Sequence, residues 1–294
     1  MIEITDLKNE RNNNKNNYEI IKTIGFDKYG ELFLVSYREN DSEEKKLYIM
    51  EKIEVKSKRG KFEIENKINT LKKVESKYVI KIYDFFFNNE NGKDYGYIIM
   101  EYCEKGNLYK IIYDSNFLNE RTIWRIFIQL TQALKSLYAN KIILNHLNPK
   151  NIFIDKNNNI KIGGFDIIFE FTDYYLLQEN EDLSSYMAPE ILNNLGNNKK
   201  SVVWSLGCIL FELLFRKRAF EYEENKYILR NKFEFPDNCE EDIKIILPKL
   251  LCKKSNRLSL YEIMFEGIFK RKIIEINIFD EILKDRIQCK YIFI

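Results

Sequence analysis

The chain has 294 residues, 45% of them hydrophobic, which is enough for one large domain or two small lobes. Its formal net charge is +2, so the overall charge does not suggest a nucleic-acid surface. The five cysteines are odd in number and lack a Cys-x-x-Cys spacing, which argues against a disulfide framework or a zinc site and favours reduced thiols inside a cell.

The first part of the chain predicts a small sheet with one helix. Residues 1–17 are polar and rich in Asn and Lys, which indicates a disordered tail and no signal peptide. Alternating apolar residues predict a strand, a turn and a strand over residues 18–36, and further strands at 47–55, 78–87 and 95–101. Ile64, Ile68 and Leu71 recur at helical spacing, which predicts a helix over residues 62–74 that packs on this sheet.

The pattern becomes helical from residue 107 onward. Asn119 is placed to cap a helix whose apolar residues recur every three or four positions. Residues 202–215 are apolar nearly all round, which predicts a buried central helix too short to cross a bilayer. Near the end, Ile274–Ile278 alternates like a strand and residues 280–286 predict a short helix. The apolar residues 291–294 could pack on the chain itself or on a partner.

Several short motifs occur in a characteristic order. Residues 143–151 read Ile-Leu-Asn-His-Leu-Asn-Pro-Lys-Asn, and residues 164–166 read Gly-Phe-Asp. They are followed by Tyr-Met-Ala-Pro-Glu at 186–190, Trp-Ser-Leu-Gly-Cys-Ile-Leu at 204–210 and Arg257. This ordered set resembles the eukaryotic protein kinases, and the resemblance covers residues 18–267.

The resemblance implies an α+β, bilobal protein-kinase-like fold. It assigns residues 18–101 to a small β-rich N-terminal lobe with one helix, and residues 102–267 to a hinge and a larger α-helical C-terminal lobe. Residues 268–294 would then form a C-terminal extension. Glu190 and Arg257 occupy the positions of a buried ion pair that supports the larger lobe in this family.

The positions that perform chemistry in the family are altered in this chain. His146 stands where the family has its catalytic aspartate, Asn148 where it has a lysine, and Gly164 where it has the metal-binding aspartate. Asn151 is retained, and Asp166 is the only other candidate for a metal ligand. The resemblance therefore predicts no catalytic residues and no metal site.

The positions of the ATP cleft are also degenerate. They map to Gly25, Asp27, Gly30, Ile49, Glu51, Met100, Glu101, Cys103 and Phe153. Asp27 replaces a glycine and Glu51 replaces the lysine that contacts phosphates, so both place negative charge where a polyphosphate would bind. Lys52 is adjacent to Glu51, but strand side chains alternate, so we expect it to face the other way. Binding of ATP and magnesium is expected to be weak or absent.

Glu51 and Lys67 occupy the two ends of the ion pair that links sheet and helix in this family, with their signs exchanged. We therefore expect an inverted pair that holds the helix on the sheet. The alternative is an ordinary pair between Glu63 and Lys67 on the helix surface.

These observations predict a catalytically inactive pseudokinase that acts as a scaffold or allosteric regulator in signalling. Its expected partner is a protein, such as an active kinase, in the cytoplasm, with no nucleic acid bound and no membrane insertion. One alternative is an atypical serine/threonine protein kinase that uses Lys28 or Lys52 together with Asn151 and Asp166. Another is a nucleotide-binding sensor without phosphoryl transfer.

Overall fold

The fold is described by a computed structural model, which describes residues 17–26, 30–37, 45–114, 118–144, 147–164, 184–193, 199–220, 235 and 239–277. The chain divides into two compact units. The first comprises residues up to 73 and residues 80–102, and the second comprises residues 74–79 and most of the chain from residue 103 onward. A β-sheet dominates the first unit and helices dominate the second, which confirms the predicted α+β fold.

The sheet of the first unit has five antiparallel strands in the order β1-β2-β3-β5-β4. They are β1 Tyr18–Phe26, β2 Gly30–Tyr37, β3 Lys46–Val55, β4 Ile82–Glu90 and β5 Lys93–Glu101. The prediction that the fourth strand begins at residue 78 is wrong. Val79 instead forms a bridge with Ile162 of the second unit, and the amide of Ile162 donates to the carbonyl of Tyr78 at 2.9 Å, so β4 begins only at Ile82.

The helix of the first unit is α1, Lys58–Lys72. It begins four residues earlier than predicted because Ser57 caps it, accepting a hydrogen bond from the amide of Gly60 at 3.0 Å. Ile64 and Ile68 form its buried face. Lys61 Nζ lies 4.5 Å from the centre of the Phe87 ring, so α1 packs on the sheet face that carries Phe87.

The opposite face of the sheet has an apolar layer of its own. Its buried members are Phe33, Val35, Met50, Tyr97 and Ile99, flanked by the partly buried rings of Tyr18, Tyr48, Phe86 and Tyr95. Both faces of the sheet therefore bury apolar side chains.

The second unit is built around α3, Glu120–Ala139, and α5, Lys199–Phe215. Its other elements are α2 Leu108–Asp114, a 3-10 turn Pro149–Asn151, β6 Ile152–Ile154, β7 Ile160–Ile162, α4 Pro189–Leu192, α6 Glu241–Leu250, α7 Leu260–Phe265 and α8, residues 267–277. Asn119 caps α3 as predicted, accepting from the amide of Thr122 at 2.8 Å. The buried residues of α5 run from Ser201 to Leu213 without a break, which confirms a buried central helix. No helix among the described residues is both long and apolar enough to span a membrane.

The strand predicted at Ile274–Ile278 is wrong, because residues 267–277 are helical. Phe269, Lys272 and Ile276 are buried at a spacing of three and four residues, whereas Ile274 is 58% exposed. Ile276 therefore belongs to a buried helical face that starts at Phe269, and Ile274 lies off that face. The predicted helix at 280–286 and the apolar residues 291–294 lie outside the described residues.

Candidate functional site

Glu51 lies in the middle of β3 and is buried, with 9% of its surface exposed. Its register partners are Leu32 on β2 and Ile98 on β5. Ile98 pairs in turn with Phe85 on β4, over whose ring Lys72 of α1 lies at 5.2 Å. Glu51 therefore occupies the face of the sheet that packs against α1, where the resemblance places a phosphate-binding lysine.

Lys52 lies on the opposite face of the sheet, as strand alternation predicts. Its Nζ is 2.8 Å from Glu90 Oε2 and 4.1 Å from the centre of the Tyr95 ring. The hydroxyl of Tyr97 also donates to Glu90, at 2.6 Å. Lys52 is thus engaged on the outer face and does not replace the lysine that is missing at position 51.

Lys67 lies in α1 and is half-buried, next to the buried Ile68. The alternative partner proposed for it, Glu63, accepts a hydrogen bond from Arg59 Nε at 2.9 Å. That carboxylate therefore already has a cation one turn earlier. The placement of Glu51 and Lys67 on facing elements is compatible with an inverted pair, which stays a prediction.

The two glycines of the first hairpin differ in their surroundings. A Cβ at Gly30 would lie 1.8 Å from the carbonyl oxygen of Lys52, so Gly30 is required by the close approach of β2 to β3. A Cβ at Gly25 would meet no atom within 4 Å. Gly30 therefore has a packing reason that is independent of phosphate binding. Asp27 and Lys28 lie outside the described residues.

Three further cleft positions of the first unit lie on β3 and β5. Ile49 and Met100 are register partners and both are half-buried. The Glu101 carboxylate accepts from the amide of Lys81 at 3.2 Å, which ties the end of β5 to the start of β4. The resemblance places an alanine at position 49, so a larger side chain stands beside Met100 in this chain.

Cys103 and Phe153 are the cleft positions of the second unit. Cys103 is 8% exposed, and its carbonyl accepts from the amide of Gly106 at 3.2 Å in a tight turn. Phe153 is half-buried on β6 and forms a bridge with Asn107. The turn that contains Cys103 is joined to β6 by two backbone hydrogen bonds, from the amide of Lys105 to the carbonyl of Ile154 at 3.3 Å and from the amide of Ile154 to the carbonyl of Gly106 at 2.9 Å.

Asn148 serves the local backbone. It is 3% exposed, and its Oδ1 accepts from the amide of Lys150 at 2.9 Å, which caps the 3-10 turn. This bond fixes the orientation of the amide, and Nδ2 has no hydrogen-bond partner among the described residues. A lysine at this position would lose the cap. Its neighbour His146 lies outside the described residues.

Asn151 and Gly164 are in direct contact. Gly164 has a φ of +61°, and a Cβ placed there would lie 2.5 Å from Cγ of Asn151. The carbonyl of Asn151 also accepts from the amide of Gly163 at 2.9 Å. The positive φ at 164 strains any side chain there, and a side chain would also displace the Asn151 amide, so both disfavour the carboxylate that would complete a metal site. Asp166 lies outside the described residues.

The supporting pair Glu190–Arg257 is present in the second unit and is buried. Arg257 donates to both carboxylate oxygens of Glu190, at 2.6 and 3.1 Å, and their side chains are 0% and 7% exposed. Ser201 Oγ donates to the same carboxylate at 3.0 Å. Burial alone raises the pKa of the Glu190 carboxyl, but the hydrogen bonds and charge of Arg257 outweigh burial and hold that pKa below its ordinary value.

Glu212 is a second buried carboxylate, and the sequence motifs did not single it out. Glu212 of α5 is 0% exposed and accepts hydrogen bonds from the hydroxyls of Tyr113, at 2.7 Å, and Tyr186, at 2.5 Å. Burial, together with the Glu212 carboxylate, raises the pKa of both tyrosines. The available signal was a lone acid inside an otherwise apolar helix, which requires polar partners wherever it is buried.

In the second unit, the buried side chains of Glu190, Arg257 and Glu212 are all hydrogen-bonded. By contrast, Glu51 stands where the resemblance places a phosphate-binding lysine, and Gly164 where it places a metal-binding aspartate. Phosphoryl transfer needs cations around the phosphates. The Glu51 carboxylate supplies no cation, and Gly164 has no side chain that could bind a metal ion.

A family model for the protein kinase domain matches residues 18–268. The rice serine/threonine-protein kinase Nek3 (Oryza sativa subsp. japonica) is 31% identical over 208 residues, which cover 69% of this chain and 34% of the rice protein. Human serine/threonine-protein kinase Nek2 (Homo sapiens) is 28% identical over 265 residues, covering 84% of this chain and 58% of the human protein. The carbon catabolite-derepressing protein kinase of Candida glabrata is 28% identical over 270 residues, covering 88% and 42%. The chain thus spans less than two thirds of the length of each of these three relatives.

Proposed function

Since the chain belongs to the protein kinase family, we propose that it is a catalytically inactive member, a pseudokinase, that acts as a scaffold or allosteric regulator in signalling. Three changes support this proposal: Glu51 replaces the phosphate-binding lysine, His146 the catalytic aspartate and Gly164 the metal-binding aspartate. In kinases, catalysis consists of positioning and of charge stabilisation around phosphates and magnesium. Each change removes one part of that arrangement.

The observation that carries the proposal is the position of Glu51 on the face of the sheet that packs against α1, with Lys52 bound to Glu90 on the other face. A carboxylate about 6 Å from a phosphate charge costs ~3 kcal/mol at an effective dielectric near 20. That cost corresponds to more than about a hundredfold in affinity. Weak or absent binding of ATP follows.

The retained interactions are those that support the larger lobe. Glu190 and Arg257 keep their buried, two-pronged contact, and Ser201 donates to the same carboxylate. A chain that keeps its support while its reactive groups are replaced is suited to binding other proteins. An active kinase is the partner class that this proposal favours.

Active phosphoryl transfer is the second candidate, because the three relatives described above are all named protein kinases. It would require Lys28 as the substitute cation, since Lys52 is engaged with Glu90. It would also require Asn151 and Asp166 to hold the magnesium.

The test is the melting temperature of the full chain, measured with ATP at concentrations up to about 5 mM, with and without magnesium. A ligand that binds the native state raises the melting temperature by mass action. We expect no shift in the melting temperature of the unaltered chain. The variant Glu51→Lys is the matched comparison, and its melting temperature should rise with ATP only if the Glu51 carboxylate is what prevents ATP binding. A shift in the unaltered chain would contradict the prediction of weak ATP binding.

Transfer of radiolabelled phosphate from ATP to the chain itself and to a general protein substrate separates the remaining possibilities. Binding of magnesium-ATP without transfer would identify a nucleotide sensor. Transfer that is lost in Lys28→Met and kept in Lys52→Met would establish the active alternative and overturn the pseudokinase proposal.

A further inference from the structure

Three helices of the second unit each expose a large apolar side chain. Ile245 of α6, Phe265 of α7 and Ile274 of α8 have 47%, 73% and 58% of their surface exposed. Exposed apolar residues that are scattered singly are ordinary, whereas a contiguous apolar patch marks an interaction site. The relative placement of these three side chains therefore decides whether they form a site.

Two ion pairs show that α6 and α8 lie side by side and run in opposite directions. Asp242, in the first turn of α6, accepts a hydrogen bond at 2.5 Å from Arg271, in the middle of α8. Lys249, in the last turn of α6, lies 2.8 Å from Glu266, directly before α8. Ile245 is three residues after Asp242 and four before Lys249, so it shares their side of α6. It therefore lies along the boundary between α6 and α8.

Phe265 and Ile274 lie along the same boundary. Lys270 Nζ is 5.2 Å from the centre of the Phe265 ring, and Ile274 follows Lys270 by one helical turn. Ile274 is also three residues after Arg271, which contacts α6. A Cβ at Gly267 would meet no atom within 4 Å, so the surface is open there. We call the surface formed by Ile245, Phe265, Lys270 and Ile274 the α6–α8 face.

The segment that directly follows α8 in the sequence complements this face. Residues 278–285 read Ile-Phe-Asp-Glu-Ile-Leu-Lys-Asp. They contain two apolar pairs, and three carboxylates against one lysine, a net charge of −2. The α6–α8 face has exposed apolar side chains and Lys270, which has no ion-pair partner among the residues that the structure describes. The segment offers apolar cover for the former and carboxylates for the latter.

The connection in the chain favours this segment over any other occupant. A tethered segment has an effective concentration in the millimolar range, without the need for a partner in solution. From Ile274 back to Gly267 is seven residues, about 10 Å along α8, which about three extended residues span. Connections of two to five residues are enough to reverse the chain after a helix. Residues 278–294 are therefore long enough to turn back and cover the face.

We propose that residues 278–294 turn back after α8 and cover the α6–α8 face of the same molecule. The apolar residues at 278, 279, 282 and 283 pack on Ile245, Phe265 and Ile274, and the carboxylates at 280, 281 and 285 contact Lys270. Any partner that recognises this segment must first displace it from the face. The inference goes beyond the proposed function and holds whether or not the chain binds ATP.

The first test measures hydrogen–deuterium exchange of the backbone amides of residues 278–294 in the full chain by mass spectrometry. These amides should be protected in the unaltered chain. Phe265→Ser with Ile274→Ser should speed their exchange by about tenfold or more, because the apolar contacts that hold the segment are lost. The matched control is Phe62→Ser with Ile20→Ser, which makes the same two substitutions at side chains of the first unit that are 63% and 45% exposed.

The control variant should change these exchange rates by no more than about twofold. Absence of protection in the unaltered chain would overturn the proposal. Equal acceleration in the two variants would also overturn it, because the α6–α8 face would then have no special effect on the segment.

The second test uses a carbodiimide, which joins a lysine amine to a carboxylate in contact with it. We expect Lys270 to be joined to residue 280, 281 or 285 in the unaltered chain and in the control variant. The yield should fall about fivefold or more in Phe265→Ser with Ile274→Ser. Absence of this link in the unaltered chain would contradict the proposal.

An equal mixture of chains with and without ¹⁵N separates docking within one molecule from docking between two. The link should join residues that carry the same label. Links between labelled and unlabelled chains, or amide protection that rises with protein concentration, would overturn the proposal by assigning the α6–α8 face to the segment of a second copy.

Discussion

A buried carboxylate is costly unless it is paired, and Glu51 is such a group at the centre of the sheet. The cation that the sequence offers on the facing helix is Lys67. In the family, a lysine on the strand pairs with a glutamate on the helix. If Glu51 and Lys67 form a pair, the same two elements are joined here with the two charges exchanged. The structural value of the connection would survive while its value for binding phosphate is lost.

A double exchange tests this pair. Either Glu51→Lys or Lys67→Glu alone should lower the free energy of unfolding by up to about 3 kcal/mol, because each places two like charges together. The double variant should recover most of that loss, as measured by urea denaturation of all four proteins. Strictly additive losses would show that the two residues do not interact. Glu63→Lys with Lys67→Glu serves as the control for the surface alternative.

Gly164 stands where the family resemblance places a metal-binding aspartate, and its backbone disfavours that residue. Gly164→Asp places a side chain at a φ of +61° and against the Asn151 amide. We expect it to lower the free energy of unfolding by at least about 2 kcal/mol and to produce no magnesium-dependent rise in melting temperature. Gly106→Ala is the matched control, since its φ is +75° but its Cβ would meet no atom within 4 Å. That variant should cost only about 1 kcal/mol. Recovery of magnesium binding in Gly164→Asp would contradict this expectation.

At the scale of elements, the contact between Glu190 and Arg257 joins α4 to the loop that precedes α7. The guanidinium also donates to the carbonyls of Lys200 and Cys252, both at 2.9 Å, and lies 5.0 Å from the centre of the Trp204 ring. One side chain therefore connects four segments of the second unit. This explains why Arg257 is among the largest side chains that are fully buried.

This contact predicts a dependence of stability on pH. The folded pKa of Glu190 is held below its ordinary value, so its contribution is complete above about pH 4.5 and is lost as the pH falls through the lower, folded value. Glu190→Gln should cost about 3–5 kcal/mol at neutral pH, because Arg257 is left buried without its counter-charge. The difference between the two proteins, measured by urea denaturation from pH 7 to pH 3, should shrink below about pH 4.5.

The control for this measurement is Glu266→Gln, which removes the more exposed pair between Glu266 and Lys249. It should change the free energy of unfolding by no more than about 1 kcal/mol. A difference between the unaltered chain and Glu190→Gln that stays constant from pH 7 to pH 3 would refute the assigned role of the Glu190 carboxylate.

At the scale of the whole molecule, each unit has its own core, and the second unit extends through α8. Phe269 is 1% exposed and meets the Phe127 ring of α3 edge-on, with ring centres 6.1 Å apart. Lys272 is 8% exposed and is surrounded by the carboxylates of Glu120, Glu240, Asp242 and Glu275. Residues 268–277 are thus part of the packed unit.

Lys272→Met should lower the free energy of unfolding by about 2–3 kcal/mol, because it leaves several carboxylates without their shared cation. Burial lowers the pKa of Lys272, but hydrogen bonds to Glu240 and Glu120 outweigh it and raise that pKa above its ordinary range. Its contribution is therefore present at all pH values below the ordinary lysine pKa and is lost only as the pH rises through the raised value. The loss should be the same at pH 6 and pH 9, and the exposed Lys270→Met should show almost none. An unchanged free energy of unfolding in Lys272→Met would disprove the stabilising role of this cluster of charges.

The sequence by itself determined the α+β fold, the sheet with its single helix, the Asn119 cap, the buried central helix and the partnership of Glu190 with Arg257. These features depend on local periodicity or on motifs in a known order, and both can be recognised in the sequence alone. Strand alternation also placed Lys52 opposite Glu51.

Only the tertiary structure decided the remaining features. The late start of β4, the helical course of residues 274–277, the collision that Gly164 avoids and the tyrosine partners of Glu212 all depend on contacts between distant segments. Tyr113 and Glu212 are 99 residues apart, and no local pattern links them. Periodicity reports which face of an element is buried, whereas the identity of the atoms that cover it is set by packing in three dimensions.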